Sequence, residues 1–429
     1  MNIFEKINSL AKRRGFIYPG SEIYGGLGGF YDFGPLGAEL KFNIKQAWWR
    51  DVVQARDDVV GLSASIIMNP KVWEASGHVS GFSDALVECP KCHKRFKVDE
   101  LKKKEKRFIC AGCGGLFENK GRQFNLMFKT FIGSAEDSAS LAYLRPETAG
   151  GIFVNFKNVL DTMRVKIPFG IAQIGKAFRN EINPRDYVFR MREFEQMELE
   201  YFVKPGEDEK YFEEWLRQRL EWYRSIGLKN IRTHEQKKEE RAHYSKRTVD
   251  IEYKFPFGWQ EIEGVANRGD FDLKSHAKVS GKDFSYFDEE TKERFIPHVI
   301  EPSAGVERIV LALLCEAYEE ENERVVLKLH PKLTSYKIAV FPLLANKSKL
   351  VELARRVYNN LRKDWVCAWD DRGNIGKRYR AQDEIGTPYC LTIDFDSLGK
   401  EDVTVRDRDT MRQERIKIKD LKDYLSKLL

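Results

Sequence analysis

The sequence of 429 residues contains few cysteines, no long hydrophobic run and no strong excess of either charge. A membrane-spanning helix needs roughly 20 consecutive apolar residues, and because no run approaches that length, no membrane partner is expected. Hydrophobic residues make up 42% of the chain and charged residues 32%, a mixture that excludes a disordered or fibrous protein. The chain is therefore expected to form two or three globular domains, each with its own core.

The charge balance permits a nucleic-acid partner without establishing one. Lysine and arginine total 73 against 66 acidic residues, which leaves a formal net charge of +7. The first residues mix Glu5 with Lys6 and Lys12 and contain no apolar segment of the kind that begins a secretory signal. The sequence shows no internal repeat, and we expect a cytoplasmic location.

Four of the seven cysteines form the pattern Cys89-x2-Cys92-x17-Cys110-x2-Cys113, and the other three are scattered. This distribution argues against a disulfide framework. Two tight pairs of thiolates are typical of a structural zinc site, in which four protein ligands leave no open position for substrate. The alternative is a ribbon that folds without metal. Core-like apolar patterns on both sides indicate that residues 89–119 are an inserted module.

The largest core is predicted between Asn125 and Leu314, where strand-like segments alternate with a helix. The predicted strands are Gly170–Glu181, Val188–Val203 and Val249–Glu263, and the predicted helix is Glu207–Ile226. The charged segment Glu319–Arg324 and the turn-prone segment His330–Ser335 predict a linker. Beyond it, alternating strand and helix patterns indicate a small α/β domain.

The first two predicted strands place unusual polar residues on one face. With a period of two, Arg179 and Glu181 share a face of the first strand, while the second presents Arg190, Arg192, Phe194, Gln196, Glu198 and Glu200. Arginine suits phosphate, glutamate accepts hydrogen bonds, and a lone phenylalanine can stack on a base. This face therefore indicates a nucleotide site, with a solvated outer surface as the alternative.

A third signal is the segment Glu301–Arg308, which precedes the apolar run IVLALL. Arg308 falls near the start of the predicted helix, where backbone N–H groups add to the attraction of a guanidinium for phosphate. Simple helix capping is the alternative. The glycine-rich segment Gly25–Gly37 lacks the spacing of a P-loop or a dinucleotide-binding turn, so we predict a loop that does not cradle phosphate.

Together these segments resemble the class II aminoacyl-tRNA synthetases, and in particular the homodimeric glycyl-tRNA synthetases. Gly29–Trp49, Phe178–Phe202 and His298–Leu314 resemble the three class II motifs, the first of which forms the dimer. Leu144–Phe153 and Glu261–Leu273 resemble segments particular to the glycine enzymes.

The resemblance implies an α+β fold. Its parts would be an antiparallel sheet flanked by helices, a small zinc-ribbon insertion and a C-terminal α/β anticodon-binding domain. The expected boundaries are 1–88 and 120–330 for the catalytic domain, 89–119 for the zinc module and 336–429 for the anticodon-binding domain. The implied reaction is ATP-dependent activation of glycine and its transfer to tRNA(Gly).

The resemblance also implies a role for individual residues in catalysis and ATP binding. Arg179 would bind the α-phosphate and the amino-acid carboxylate, Glu181 would accept a hydrogen bond from the adenine amino group, and Arg308 would cover the adenine and meet the γ-phosphate. Phe194 would stack on the adenine. The full ATP-binding set implied is Arg179, Asn180, Glu181, Phe189, Arg190, Met191, Arg192, Glu193, Phe194, Glu261, Ile262, Gly305, Val306, Glu307 and Arg308.

The glycine site and the metal ligands follow from the same resemblance. The implied glycine-binding set is Arg95, Glu147, Phe194, Glu195, Gln196, Met197, Glu198, Glu301, Pro302, Ser303, Ala304 and Gly305. Glu261 and Glu301 are the expected carboxylates for the magnesium that accompanies ATP, because hard divalent ions take oxygen ligands. One departure is Gly150, where the family commonly has glutamine. In the C-terminal domain, the basic segment Lys377–Arg380 is the expected RNA contact, with a solvated helix face as the alternative.

Three other functions remain open at this point. The chain could be a class II synthetase for threonine, proline or histidine, although the RPET and EIEGVANR segments argue against that. It could be a non-catalytic accessory protein that retains the fold to bind nucleic acid. A zinc-ribbon nucleic-acid binder without chemistry would account for the four cysteines alone and would leave most of the chain unexplained.

Overall fold

A computed structural model describes residues 1–98, 101–104, 107–118, 121–242, 244–321 and 324–429. The N-terminal part begins with a helix whose first turn carries a capping box, since the Asn2 side chain accepts the Glu5 N–H and the Glu5 side chain accepts the Asn2 N–H. Its elements are α1 Ile3–Arg13, β1 Ile17–Pro19, β2 Tyr31–Phe33, α2 Pro35–Trp49, β3 Val59–Gly61, α3 Lys71–Ala75 and α4 His78–Gly81.

The cysteine-bearing module lies between two paired strands. Its elements are β4 Ser83–Glu88, β5 Arg95–Lys97, β6 Lys103–Lys104, β7 Arg107–Ile109, β8 Leu116–Phe117 and β9 Arg122–Asn125. Strand β4 pairs antiparallel with both β5 and β9, so the chain leaves and rejoins the rest of the protein on neighbouring strands. This arrangement fits the predicted insertion, although residues 99, 100, 105, 106 and 119 lie outside the described part of the chain.

The central part contains the main sheet and the helices that cover it. Its elements are β10 Lys129–Phe131, β11 Leu141–Tyr143, α5 Ala149–Met163, β12 Phe169–Phe178, β13 Glu193–Val203, α6 Asp208–Ser225, β14 Ile231–Glu235, β15 Arg247–Phe255, β16 Gly258–Gly269, α7 Phe271–Ser280, β17 Tyr286–Phe287, β18 Arg294–Phe295, β19 His298–Gly305, α8 Val306–Ala317, β20 Tyr318–Glu321 and β21 Arg324–Leu327. The strand order of the main sheet is β14-β15-β16-β19-β13-β12-β3, antiparallel except for the β12–β3 pair.

The two faces of the main sheet differ in what they bury. Met197, Leu199 and Tyr201 of β13 join the large hydrophobic core formed with helices α1, α2, α6 and α8. The alternate residues Gln196 and Glu198 point to the opposite face and are also buried. The period-two pattern therefore predicted correctly which of these residues lie on each face of β13. A second apolar core, which includes residues of α5 and α7, covers part of the polar face.

The C-terminal part forms a separate five-stranded sheet in the order β23-β22-β24-β25-β26. Its elements are β22 Ile338–Pro342, α9 Ser348–Leu361, β23 Cys367–Trp369, α10 Ile375–Ile385, β24 Tyr389–Ile393, α11 Phe395–Lys400, β25 Asp402–Asp407, β26 Gln413–Lys417 and α12 Leu421–Ser426. Strand β22 is parallel to both of its neighbours, and the remaining pairs are antiparallel. The prediction of a C-terminal α/β fold is confirmed.

Three expectations about local structure need correction. The segment Val249–Glu263 is not one strand, because the turn between Phe255 and Gly258 divides it between β15 and β16. The charged segment Glu319–Arg324 is not a linker; the described residues on either side of positions 322 and 323 form the antiparallel pair β20–β21. The strand expected to begin at Val188 begins at Glu193. The three consecutive glutamates Glu319–Glu321 lie on a largely exposed strand, so charge alone misidentified the linker.

The basic segment expected to contact RNA is only partly exposed. Arg378 is 2% exposed, and its guanidinium donates to the backbone oxygens of Pro342, Asp371 and Gly373. The Tyr379 hydroxyl is bonded to Thr392 across the domain. The buried Arg378 side chain thus joins α10 to the loop before it by hydrogen bonds inside the domain. The prediction that Arg378 contacts RNA is wrong.

Candidate active site

A cavity of about 310 Å³ opens on the polar face of the main sheet, where β13, β16 and β19 lie side by side. The antiparallel register places Glu198 opposite both Gln173 and Ser303, so polar side chains from three strands share one patch. The predicted site residues that line the cavity are Glu147, Arg179, Glu181, Phe189, Arg190, Met191, Phe194, Gln196, Glu198, Glu261, Glu301, Ser303, Ala304, Gly305, Glu307 and Arg308. Segments distant in sequence thus converge on one cavity.

The inner end of the cavity is acidic and tightly hydrogen bonded. Ser303 Oγ donates to Glu198 Oε1 at 2.7 Å, and the Thr148 hydroxyl donates to the other oxygen of the same carboxylate. Carboxylate oxygens of Glu198, Glu200 and Glu301 lie within 4.8 Å of one another. All three residues are buried. Such a group attracts a cationic ligand with hydrogen-bond donors, such as an ammonium group.

The surroundings raise the pKa values of some glutamates at this end of the cavity and lower that of another. Burial raises the pKa of Glu301 to about 8 and shifts the pKa values of Glu198 and Glu200 upward. Burial also acts to raise the pKa of Glu147, but His78 outweighs it together with Arg268 and Arg179, and the pKa falls to about 2. Glu147 is therefore charged at neutral pH, whereas burial and neighbouring carboxylates oppose the charged forms of Glu198, Glu200 and Glu301.

Arg268 balances this acidic group and was missed by the sequence reasoning. Its guanidinium donates to both oxygens of Asp272, at 2.7 and 2.8 Å, and forms a short ion pair with Glu301. The guanidinium also lies 3.7 Å from the centre of the Tyr244 ring. Arg268 falls within the recognised Glu261–Leu273 segment, but nothing in its spacing marks it as part of the site. Arg268 lies at the irregularity in the β16–β19 pairing between Asn267 and Gly269.

The outer end of the cavity presents two arginines against aromatic rings. The Arg179 guanidinium lies 5.3 Å from the Phe194 ring centre, and its Nε donates to the Pro146 carbonyl at 3.0 Å. The Arg308 guanidinium lies 4.5 Å from the Phe189 ring centre and pairs with Glu261 at 3.2 Å. The cavity is thus divided into an acidic inner end and a cationic, aromatic outer end, which suits an ammonium group beside a nucleotide phosphate.

The glycine-rich loop supports the turn that follows β12. The Arg192 N–H donates to the Gly29 carbonyl at 2.8 Å, and its guanidinium bonds the carbonyl of Gly28. A Cβ on Gly29 would lie 2.7 Å from the Pro184 ring, and its φ of +80° also favours glycine. Glycine is therefore required here by the close approach of two loops.

A buried ion network joins the three segments that resemble class II motifs. Lys41 of α2 pairs with Glu195 of β13 and with Glu307 at the start of α8, both at 2.6 Å. The second oxygen of Glu307 accepts the Glu195 N–H at 2.9 Å. Glu195 and Glu307 are each next in sequence to a residue at the outer end of the cavity, Phe194 and Arg308. The network therefore sets the spacing of that end.

Several residues in the expected binding sets point away from the cavity. Met197, Ile262 and Val306 belong to the large hydrophobic core behind the sheet. Glu193 forms an ion pair with Lys176 at 2.6 Å, and the Asn180 N–H donates to the Leu126 carbonyl. The side chains of Met197, Ile262, Val306 and Glu193 are thus committed elsewhere, and these residues can contribute backbone or positioning to a ligand.

The two carboxylates expected to bind magnesium lie in different parts of the cavity. Glu301 is opposite Ala266, whereas Glu261 lies beyond the end of the β16–β19 pairing, beside Arg308. Five strand positions separate them along the ladder, on the order of 15 Å between backbones. One ion is therefore not held directly by both. Glu261, at the outer end, is the carboxylate nearer to the arginines suited to phosphate.

Arg95 is separate from the cavity wall among the described residues. It lies on β5 of the cysteine module, where its Nε is 2.9 Å from Glu88 Oε2, and its side chain is 60% exposed. Its assignment to the glycine site stays a prediction.

Gly150 is the second residue of α5, three residues after Glu147 of the cavity lining. A Cβ at this position would lie 2.9 Å from the ring of Trp73, a fully buried side chain. The indole therefore occupies the space into which a longer side chain would extend.

The four cysteines of the module come together as a tetrahedral metal site requires. Their sulfur atoms lie within 4.8 Å of one another, with Cys89–Cys113 at 3.7 Å and Cys92–Cys110 at 3.5 Å. Zn–S bonds of about 2.3 Å in a tetrahedron give sulfur separations of about 3.8 Å, so the donor set fits zinc. The N–H groups of Cys89 and Cys110 donate to Lys94 and Gly115, which forms two equivalent turns.

Comparison with known families agrees with this architecture. The family described as "tRNA synthetase class II core domain (G, H, P, S and T)" matches residues 130–318, and the family "Anticodon binding domain" matches residues 337–428. A crystal structure of prolyl-tRNA synthetase from Cryptosporidium parvum, with L-proline and AMP, superposes with a TM-score of 0.67 over 98% of this chain and 77% of that one. At 16% identity, this likeness establishes the fold. The fold is that of a class II aminoacyl-tRNA synthetase.

Curated relatives define the family more narrowly. Glycine–tRNA ligases from Lachnospira eligens and Acetivibrio thermocellus are each 53% identical to this chain over 98% of its length and 97% of theirs. The glycine–tRNA ligase of Alkaliphilus oremlandii is 52% identical over 99% of the chain and 98% of its own. The chain belongs to the glycine–tRNA ligase family, and the resemblance identified from its sequence is confirmed. No helix among the described residues is long and apolar enough to cross a membrane.

Proposed function

We propose that this chain activates glycine with ATP, through glycyl-adenylate, and transfers the glycyl group to the 3′ end of tRNA(Gly) in cytoplasmic translation. The observation that carries the proposal is the division of one cavity into a buried acidic end and a cationic, aromatic end. The first suits the ammonium group of an amino acid, and the second suits a nucleotide triphosphate. The high identity to glycine–tRNA ligases over nearly the whole chain supports glycine as the amino acid.

The proposed amino-acid site is the acidic end. Glu147 and Glu198 would accept hydrogen bonds from the ammonium group, and Ser303 would hold the Glu198 carboxylate in place through its 2.7 Å bond. Glycine carries only hydrogen on its α-carbon, so the proposed site would select it by sterically excluding any larger substituent. Steric exclusion of this kind removes the need for a separate editing site.

The proposed nucleotide site is the outer end. Phe194 and Arg308 would enclose the adenine, and Glu181 would accept a hydrogen bond from the adenine amino group. Arg179 would hold the α-phosphate. Both arginines are already fixed by backbone carbonyls, which lowers the reorganisation needed on binding. Class II synthetases use magnesium with ATP; here Glu261 would ligate it, and the ion would neutralise phosphate charge.

The reaction would proceed in two steps. A carboxylate oxygen of glycine attacks the α-phosphorus, a P–O bond forms as the bond to pyrophosphate breaks, and glycyl-adenylate remains. A terminal ribose hydroxyl of tRNA then attacks the carbonyl carbon, loses its proton and displaces AMP. Arg179 lies where charge develops in the first step, so its contribution would be electrostatic and positional.

The remaining assignments concern the whole molecule. The catalytic domain would comprise 1–88 and 120–330, with zinc bound by the four cysteines of the insertion 89–119 and the tRNA anticodon bound by residues 336–429. A homodimer is supported by exposed apolar side chains at and before the first motif, among them Phe42 and Leu27, 55% and 60% exposed. Trp48, by contrast, is core and adds no support. The seven free cysteines agree with a reducing cytoplasm.

The test is ATP–pyrophosphate exchange without tRNA, driven separately by glycine, alanine, serine, threonine and proline. Exchange with glycine alone is expected. Glu147→Gln should raise the KM for glycine at least about tenfold while leaving the KM for ATP nearly unchanged, since a hydrogen bond to a charged group contributes about 1.5–3 kcal/mol. Arg179→Ala should abolish exchange in a folded protein.

Arg217→Ala is the matched control, because Arg217 lies on the exposed side of α6 and pairs only with Glu221 among the described residues. It should behave as the parent protein does. Exchange driven by another amino acid would reassign the specificity, and normal exchange by Arg179→Ala would remove that residue from the site.

A further inference from the structure

The C-terminal domain meets the catalytic part through a buried ion network centred on Asp383 of α10. Asp383 is 1% exposed, and both of its oxygens accept hydrogen bonds from Arg406 of β25, at 2.8 and 3.0 Å. A third bond comes from outside the domain, because Arg324 of β21 donates to Asp383 Oδ2 at 2.8 Å. The same Arg324 nitrogen donates to the Arg408 carbonyl at 2.8 Å.

Packing around this network leaves little freedom between the two parts. Ile385, at the end of α10, belongs to the large core of the catalytic part. Gly386, with φ of +83°, follows it so closely that a Cβ would lie 3.0 Å from the Leu327 carbonyl oxygen. Arg14, directly after α1, bonds Glu384 at 2.5 Å. Helix α10 is therefore held by two catalytic segments that are far apart in sequence.

The connecting segment is fixed from the other side. The Asn43 side chain of α2 donates to the carbonyls of Leu333 and Thr334, and the Ser335 hydroxyl donates to Leu36. The turn-prone segment predicted as a linker is thus bound to α2. The relative placement of the two parts is determined by these contacts and not by chain connectivity alone.

We infer that Arg324 and Asp383 are positioning residues for the tRNA-dependent step, which hold the anticodon-binding domain at the one orientation that lets a tRNA reach both sites at once. The inference rests on the proposed function. When one long ligand binds two sites of the same protein, binding at the first site raises the effective concentration of the ligand at the second. That effective concentration depends on how firmly the two sites are held relative to each other. Loosening the boundary lowers that concentration and leaves the amino-acid and ATP sites intact.

The experiment compares two reactions of the full chain. Arg324→Gln removes the contact across the boundary and spares the Asp383–Arg406 pair. Its kcat/KM for charging tRNA is expected to fall about tenfold, the equivalent of about 1.4 kcal/mol, mainly through KM for tRNA. ATP–pyrophosphate exchange without tRNA should stay within about twofold of the parent, because amino-acid activation needs no second site. Arg324→Lys, which can restore one of the two bonds, should recover part of the loss.

Asp383→Asn and Asp402→Asn form a matched pair. Both carboxylates are buried and accept from arginine, but the partners of Asp402, Arg415 and Lys417, belong to the C-terminal domain. Asp383→Asn should reduce charging selectively, and Asp402→Asn should not.

Unchanged charging by Arg324→Gln, an equal fall in exchange and charging, or an equal selective loss in Asp402→Asn would each overturn the inference. Absence of exchange in the parent protein would instead count against the proposed function.

Discussion

Replacing Lys41 by methionine tests whether the buried network between the three motif-like segments stabilises the catalytic domain. The Lys41 side chain is 8% exposed and that of Glu307 is 3% exposed. Methionine keeps much of the length of the lysine stem and removes the ammonium group. Glu307 then loses its 2.6 Å ion pair, whereas Glu195 keeps the pair with Lys45 at 2.8 Å.

The size of the effect follows from this asymmetry. Removing one partner of a buried ion pair costs about 3–5 kcal/mol, because the charge left behind is neither solvated nor paired. Since only one of the two carboxylates is left without a lysine, we expect the lower end, about 3 kcal/mol. Lys45→Met is the control: its side chain is 27% exposed, so its loss should cost less than about 1 kcal/mol.

The pH dependence has a defined sign. Burial acts to raise the pKa of Glu195, but Lys41 outweighs it and the pKa lies below the ordinary 4.5, so its stabilisation is present above that value and is lost in acid. Burial acts to lower the pKa of Lys41, but Glu307 and Glu195 outweigh it and the pKa lies above 10.5, so its stabilisation is present below that value. The full difference between parent and variant is expected between about pH 5 and 10.

The assay is urea unfolding followed by tryptophan fluorescence at pH 7 and at pH 4. A difference in unfolding free energy of about 3 kcal/mol at pH 7, shrinking at pH 4, is expected. A difference below about 1 kcal/mol at pH 7, or one that does not change with pH, would refute the reasoning.

Three further predictions concern other parts of the chain. Cys110→Ser should lower bound zinc well below one equivalent per chain by metal analysis, whereas Cys315→Ser, outside the cluster, should keep the parent content. Arg378→Ala should destabilise the anticodon-binding domain by about 1–3 kcal/mol in thermal unfolding, since it removes the buried bond to the Pro342 carbonyl and the part-buried bonds to Asp371 and Gly373. The exposed Lys377→Ala should change stability little, and equal effects of the two would contradict this account. Gly150→Ala should cost about 1–3 kcal/mol by crowding Trp73, whereas Gly399→Ala in α11, with no atom within 4 Å, should be tolerated.

Local patterns predicted those parts of the fold whose periodicity is strong. The period-two alternation of β13 assigned its buried polar face correctly, and helix α6 was expected within one residue of each end. Local sequence patterns failed where two kinds of local structure can have the same residue composition. The hairpin β15–β16 is continuous in hydrophobicity, so its turn was missed. The glutamates of β20 look like a linker until their pairing with β21 is known.

The candidate site shows the same division. Glu147, Glu198 and Ser303 were identified because their segments resemble a known family. Arg268 and Trp73 were not, although the first balances the acidic end and the second fills the space beside Gly150. Arg378 was taken for a surface contact because a basic run carries no information about which member of it turns inward.

The sequence by itself determined the family, the alternation of the pocket strand and the composition of the metal cluster, because these depend on residue types at fixed spacings. Only the tertiary structure decided which charges meet. Lys41 joins Glu307 and Arg324 joins Asp383 through contacts between segments far apart in the chain. Such pairs form only when packing of the apolar faces has brought their backbones together and excluded water, and spacing along the chain does not encode that proximity.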